Sequence, residues 1–501
     1  MSDKSKKLNE ALSEIDDKYL DTAERMKAPK KRSPWLKWGA VAAAVLLLAG
    51  AAALTQHNAS APFEPYPDPQ QGAEPVTPPD IGTSGSALHN EPGLQFLAYE
   101  AEYPEMVRYQ DDPEAWQEEN WNRWQWLREQ QVDLDNYLNA CLPLLLGSSD
   151  NENRVCSPLN VYMALAMAAE LSDGESRAQI LDLLGANSIE ALRENADTLW
   201  NLNYRDDGVS TSILAGSLWM RDDFDYNSKA LQTLRDSYHA SSYYGDMSDP
   251  QYTEALRDWL NRQTGGLLTD AAEGVTLDAE TMLELLTTVY FRAKWLTQFD
   301  AANTAPETFH APDGDVACDF MHGGDNIYLY YGERFTALQK PFEAAGELWC
   351  LVPEEGLTPE DLLNDPEAMA LLTRRAYDYE KFHWYVGELS MPKFDVTSDM
   401  ELREMLQALG VTDVFAPDAA DFSPLFGDAE GVSLSHVRHA ARLTVDEEGV
   451  TATAFTDMGW GAGGPEGELD YTLDRPFLLR ISGGSWNPSP LFVGVVNDPS
   501  A

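Results

Sequence analysis

Four cysteines in a chain of 501 residues are too few for a disulfide framework. Cys141, Cys156, Cys318 and Cys350 make no CxxC pair and no Cys/His cluster, so the spacing of a zinc site is missing. One bridge, for example Cys141 to Cys156, is compatible with the sequence; the simpler reading is four small buried apolar side chains. Histidine is scarce as well, with eight in the chain, and His436 and His439 are the only close pair. On a strand these two point to opposite faces, so only one can turn inward. Basic residues are outnumbered, 35 Lys and Arg against 83 Asp and Glu, for a formal net charge of -48. Phosphate backbones are repelled by that excess, which excludes a nucleic-acid partner. HExxH, a P-loop and GxSxG are all absent, and no constellation of catalytic groups replaces them. The expectation is a protein with no enzyme activity, no metal and no cofactor.

What is present begins with a tether. Residues 1–37 are polar and read as a cytoplasmic tail, with Leu8, Leu12, Ile15 and Tyr19 at helical spacing. Lys27, Lys30, Lys31, Arg32 and Lys37 form a basic cluster beside Trp35 and Trp38. Residues 38–54 then run without charge, close to the lower limit of about 17 residues for a membrane-spanning helix. No Lys or Arg follows until Arg108, so everything after Leu54 is expected outside the cell. A cleaved signal peptide is the alternative, since Ala49-Gly50-Ala51 and Ala51-Ala52-Ala53 both resemble small-residue cleavage sites; the protein is then secreted. Residues 55–93 are rich in proline and read as an extended extracellular linker. Residues 94–501 form the main domain, opening with an acidic, Trp-rich extension in which Trp121, Trp124 and Leu127 fit one helical face.

Within the main domain, helix and strand signals mix without a regular strand–helix period, which indicates an α+β domain. Val161–Glu170 reads as a buried helix. Ile180, Leu181 and Leu184 continue as a second, closed by Gly185 in the left-handed position. Met282–Trp295 reads as a buried strand, Leu402–Leu409 as a helix ending at Gly410, and Leu491–Val496 as a short buried strand. Gly459, Gly461 and Gly464 match GxGxxG, but Pro465, Glu466 and Gly467 follow, and no helix begins there to hold a pyrophosphate. So many glycines suit an exposed loop instead.

Several separated runs, in order over about Gln130–Ala501, resemble the serpin family. Ser157-Pro158-Leu159-Asn160 followed by Ala164-Leu165-Ala166-Met167 looks like its second helix. Gly174-Glu175-Ser176-Arg177-Ala178-Gln179-Ile180 looks like the segment after it. Tyr290-Phe291-Arg292-Ala293-Lys294-Trp295, Phe299-Asp300 and Thr308-Phe309-His310 are similar to the central-sheet strand and its exit. Met391-Pro392-Lys393-Phe394, Ala420-Asp421-Phe422-Ser423, Asp474-Arg475-Pro476-Phe477 and Pro490-Leu491-Phe492-Val493-Gly494 also fit. Val445-Asp446-Glu447-Glu448-Gly449 resembles the entrance of the reactive-centre loop.

The resemblance, to a bacterial-type membrane-anchored member, implies three β-sheets, about eight or nine helices and an exposed loop. It implies a mechanism: a target serine protease cuts the loop and stays attached as an acyl-enzyme, while the loop inserts into the central sheet. The expected assembly is a monomer that binds its protease covalently. The hinge comprises Glu447, Glu448, Gly449, Val450, Thr451, Ala452, Thr453 and Ala454. The residues themselves agree, because Val450, Ala452, Ala454 and Thr456 share one uncharged strand face. The family interval places the scissile bond at Gly463–Gly464, with Ala462–Gly463, Trp460–Gly461 and Met458–Gly459 as alternatives. Small residues suit elastase-like or subtilisin-like proteases, and Trp460 a chymotrypsin-like pocket. Control of sheet opening falls to Ser157, Thr287, Trp295 and His439, with Asn160 supplying an amide. Three departures stand out: Val450 replaces a usual Thr or Ser, Phe455 a small residue, and Thr287 an Asn. They leave a second reading, a non-inhibitory serpin-fold surface binding protein.

Overall fold

The structure, a computed structural model, describes residues 94–501 apart from 128, 131, 148–150, 265–274, 278, 344–345, 375–377, 428–430, 451–463 and 484–488. The expected tail, spanning segment and linker of residues 1–93 lie outside the described residues. Strand β1 (Leu97–Tyr99) leads to helices α1 (Pro113–Leu127) and α2 (Asp135–Leu146). Then come β2 (Arg154–Cys156), α3 (Pro158–Leu171), α4 (Gly174–Leu184), α5 (Ile189–Asn203) and β3 (Arg205–Asp206). β4 (Thr211–Arg221), α6 (Ser228–Tyr238), β5 (Ala240–Gly245), α7 (Pro250–Gln263) and β6 (Leu283–Lys294) follow. Next are β7 (Ala305–Ala311), β8 (Gly314–Tyr331), β9 (Phe335–Pro341), β10 (Glu347–Pro353), α8 (Pro359–Leu362) and α9 (Pro366–Arg374). β11 (Phe382–Pro392), β12 (Phe394–Glu401), α10 (Arg403–Ala408), α11 (Ser423–Phe426) and β13 (His436–Val445) precede β14 (Gly449–Val450). β15 (Tyr471–Thr472), β16 (Phe477–Ser482) and β17 (Phe492–Val496) close the chain.

The α+β class expected from the sequence is what forms. Among the described residues there are 11 α-helices, and two of them, α8 and α11, are only 4 residues long. The strands join into two hydrogen-bonded networks rather than three separate sheets. The reason is β8, whose 18 residues run unbroken and pair with β7, β11 and β9 in turn.

The first network is the central sheet, in the order β1-β5-β4-β6-β13-β12. β6 lies at its middle, and its near-continuous burial matches the unbroken apolar run in the sequence. Helix α3 packs against β6, and every residue of α3 is buried. That explains its lack of a polar face. Ser157 caps it and Pro158 opens it, a sequence-encoded start. Gly185 ends α4 at φ +68°, as read from the sequence. On the other face of the sheet, Trp219, Tyr243 and Tyr252 pack with Trp259 of α7.

All four cysteines are free, in line with the simpler reading; three are buried and Cys318 is half-buried, and the alternative Cys141–Cys156 bridge is not formed. One expectation needs correction. Among the described side chains of α1, Trp116 is buried at 7%, while Trp121 is 53% exposed. The buried face is set by Tyr109, whose ring meets Trp116 edge-on at 5.2 Å, and by Val209 from the β3–β4 connection.

The pairing of β6 prepares the site. On one side it is zipped to β4 from Thr211↔Arg292 to Met220↔Leu283. On the other, β13 pairs in parallel only from His436↔Glu284 to Ala440↔Thr288. β14 takes up the far end of that side at Ala293 and Lys294. Among the described residues, Val289, Tyr290, Phe291 and Arg292 have no strand partner on this side.

Candidate functional site

The chain turns sharply after β13. Asp446 Oδ1 accepts hydrogen bonds from the backbone N–H groups of Glu448 (2.9 Å) and Gly449 (3.1 Å). This turn delivers β14 onto β6, Gly449 opposite Lys294 and Val450 opposite Ala293, in antiparallel register. Gly449 has φ +129°, and a Cβ there would lie 2.5 Å from the Trp295 backbone nitrogen. The pivot read from the sequence is therefore a position that only glycine can fill.

Trp295 organises the turn. It is fully buried and stacks on Phe342 with ring centroids 5.2 Å apart. Its Nε1–H donates to Asp446 O (2.9 Å) and its backbone N–H to Glu448 O (3.1 Å). Phe299 N–H donates to Glu447 O (3.0 Å). The Glu447 carboxylate pairs with Lys393 Nζ (2.8 Å) and accepts from Thr304 Oγ1 (2.7 Å). Burial opposes its charge, but the hydrogen bonds from Lys393 and Thr304 prevail and hold its pKa below the usual carboxylate value. Beside Trp295, the Lys340 ammonium lies 5.2 Å from that ring's centroid and 4.5 Å from that of Phe299. Burial pushes the Lys340 pKa down, and its ion pair with Asp325 works against that shift. Sequence reasoning missed Thr304, Lys340 and Asp325, which stand in no motif. Lys393 stood in a motif, but no spacing rule joins it to Glu447.

On the far side of the loop, Gly464 is exposed and the chain is fixed again from Glu466. Glu466 N–H donates to Trp384 O (2.8 Å), and its carboxylate meets His383 Nδ1 at 2.9 Å. Leu469 N–H then donates to Val386 O (3.1 Å), and β15 pairs in parallel with β11. So close is this approach that a Cβ on Gly387 would sit 1.9 Å from Leu469 O. The loop is thus anchored at both ends. Thr451, Ala452, Thr453 and Ala454 of the expected hinge lie outside the described residues. So do Phe455, Thr456, Met458, Gly459, Trp460, Gly461, Ala462 and Gly463.

Ser157, Asn160, Thr287 and His439 come together lower on the same seam, all buried. His439 of β13 pairs with Thr287 of β6. Its Nε2 accepts from Ser157 N–H (2.9 Å), which leaves the proton of the neutral ring on Nδ1. Burial depresses its pKa from 6.5 to about 4. The amide expected from Asn160 is not delivered. Asn160 sits in the first turn of α3, its backbone N–H bonded to Ser157 Oγ (3.3 Å), and its Nδ2 has no hydrogen-bond partner among the described residues. Thr287 Oγ1 and His439 Nδ1 are likewise without one. His436 is on the outer face, 3.0 Å from Glu401, as strand alternation requires.

A model of the family described as "Serpin (serine protease inhibitor)" matches residues 142–499. The chain belongs to the serpin family. It is 28% identical over 385 residues to alpha-1-antiproteinase S of Cavia porcellus, covering 73% of this chain and 90% of that protein. It is 26% identical over 349 residues to serpin-Z1C of Triticum aestivum, covering 66% and 86%. Among solved structures it is similar to Tengpin, a thermophilic serpin in the native state, with a TM-score of 0.63 at 26% identity. That match covers 74% of this chain and 96% of Tengpin. Membership makes this serpin one of a family of protease inhibitors, directed in general at serine proteases. Among the described residues no helix is long and apolar enough to cross a membrane.

Proposed function

We propose that this serpin is a single-pass, membrane-tethered suicide inhibitor of an elastase-like or subtilisin-like serine protease, acting outside the cell. The observation that carries the inhibitory part is the seating of Gly449–Val450 on β6, at the mouth of a seam that β13 leaves open. The loop entrance already occupies the first two places of a strand whose remaining places face Arg292 to Val289. After cleavage, continuation of that pairing is a downhill zipper of backbone hydrogen bonds. The bait bond is Gly463–Gly464, three residues before the chain is fixed at Glu466. The tether rests on the charge pattern around residues 38–54 and, with it, the bacterial-type anchored membership.

The test is incubation of the full chain with an elastase and with a subtilisin, read on a denaturing gel. A covalent complex, with release of a fragment that begins at Gly464, is the expected result. Loop cleavage without a complex would favour the non-inhibitory binding protein. Cleavage outside residues 458–465 would overturn the bond assignment. Protease protection of the chain in intact cells tests the tether, since accessible loops and a protected tail require the stated orientation.

A further inference from the structure

The residues before the family match form a strap across one corner of the central sheet. β1 adds an edge strand to β5, with Leu97 opposite Tyr243 and Tyr99 opposite Ser242. Ala101 N–H donates to Ser241 Oγ (3.0 Å). Tyr103 then packs against the end of α5, with ring centroids 5.5 Å from Trp200 and 5.8 Å from Tyr204. Tyr204 answers with its hydroxyl donating to Pro104 O (3.0 Å). Further on, Tyr109 N–H donates to Asp207 O (3.0 Å), and Gln110 Nε2 to Gly208 O. From α1, Arg123 reaches back to the carbonyl oxygens of Asn201 (2.7 Å) and Tyr204. These carbonyls at the α5 terminus would otherwise lack intrahelical partners.

The strap therefore binds three things at once: the edge strand β5, the β3–β4 connection and the C-terminal end of α5. β6, β4 and β5 are hydrogen-bonded as one block, with α3 packed on β6 and β4, so separating β6 from β13 involves all three strands. α5 packs on α3 as well as on β4. β4 rides close over α3, where a Cβ on Gly216 would lie 3.1 Å from Met167 Cε. We infer that residues 94–127 are a brake on sheet opening, in which Tyr103 and Arg123 are positioning residues that hold the sheet edge to α5. The inference rests on the loop-insertion reading above.

The experiment compares the full chain with Tyr103→Ala/Arg123→Met and with the milder Gln110→Ala. Each is held at a raised temperature, and conversion to a heat-resistant, loop-inserted form is followed by thermal melting and by loss of loop cleavage. The double variant is expected to convert about tenfold faster, equivalent to ~1.4 kcal/mol off the barrier, and Gln110→Ala faster by a smaller factor. Unchanged conversion in both overturns the brake, as does faster loss that yields only unfolded chain. A general loss of stability lowers the melting point without producing the inserted form, so the two are separable. If the unmodified protein gains no heat resistance even after its loop is cut, it is the insertion reading that fails.

Discussion

The two ends of the seam between β6 and β13 are built on opposite terms. At its mouth, polar groups are matched: Trp295 with Asp446 and Glu448, Glu447 with Lys393 and Thr304, Lys340 with Asp325. Lower down, Asn160 Nδ2, Thr287 Oγ1 and His439 Nδ1 are buried without hydrogen-bond partners among the described residues. A buried unsatisfied group costs about 1–3 kcal/mol. The mouth is thus a latch that the closed sheet rewards, and the lower seam a place where the closed sheet carries a cost. A strand entering between β6 and β13 loosens the first and changes the surroundings of the second. The division suits a native state held by a barrier rather than by depth.

The largest effect expected from this contrast is at the latch. Gly449→Ala places a methyl group against Trp295 N and Lys294 Cα at a φ of +129°. The strain is expected to cost about 1–3 kcal/mol, and relief comes only by unseating β14. Thermal unfolding should show the loss, and a protease that trims residues 446–452 should cut the variant faster. An unshifted melting point together with an uncut loop entrance would remove the latch from the account.

The next effect is a pH dependence from the lower seam. His439 has a folded pKa of about 4 against 6.5 for the free side chain, because burial disfavours the charged ring. As pH falls, the unfolded chain takes the proton first. The His439 contribution is therefore complete above pH 6.5 and is lost progressively down to about pH 4. The slope inside that window is ~1.4 kcal/mol per pH unit. Unfolding measured between pH 7 and pH 5 should steepen in this way, and His439→Gln should flatten it. Equal slopes in both proteins would assign the effect to other groups.

Much of this layout was legible in the sequence. The apolar run of β6, the Ser157 cap with Pro158, and the glycines after α4 and α10 are local signals, and each produced the expected element. The run Val445–Gly449 was singled out by its resemblance to the family, not by any local rule. The partners were not legible. Glu447 and Lys393 lie 54 residues apart, and nothing local links a carboxylate to a lysine on another strand. Lys340 stands in no motif, and only the fold brings it to the Trp295 and Phe299 rings. The strap was misread at Trp121, because helical spacing cannot tell which face meets Val209.

The smallest effect has the opposite sign and tests the comparison most directly. Thr287→Val removes the Oγ1 hydroxyl while keeping the β-branched shape that suits a strand. If that hydroxyl is buried at a cost, the variant's loop-exposed form should gain about 1 kcal/mol in denaturant unfolding. The gain belongs to the closed sheet, so conversion to the inserted form should also slow, and the fraction of protease trapped per inhibitor should fall. A latch substitution shows the reverse on the first count, destabilising the closed sheet. Should Thr287→Val instead weaken the closed sheet, the hydroxyl contributes a bond in the native state. The lower seam would then be a second latch, and the stored free energy would have to reside along the β13 side of Val289 to Arg292, where no strand pairs among the described residues.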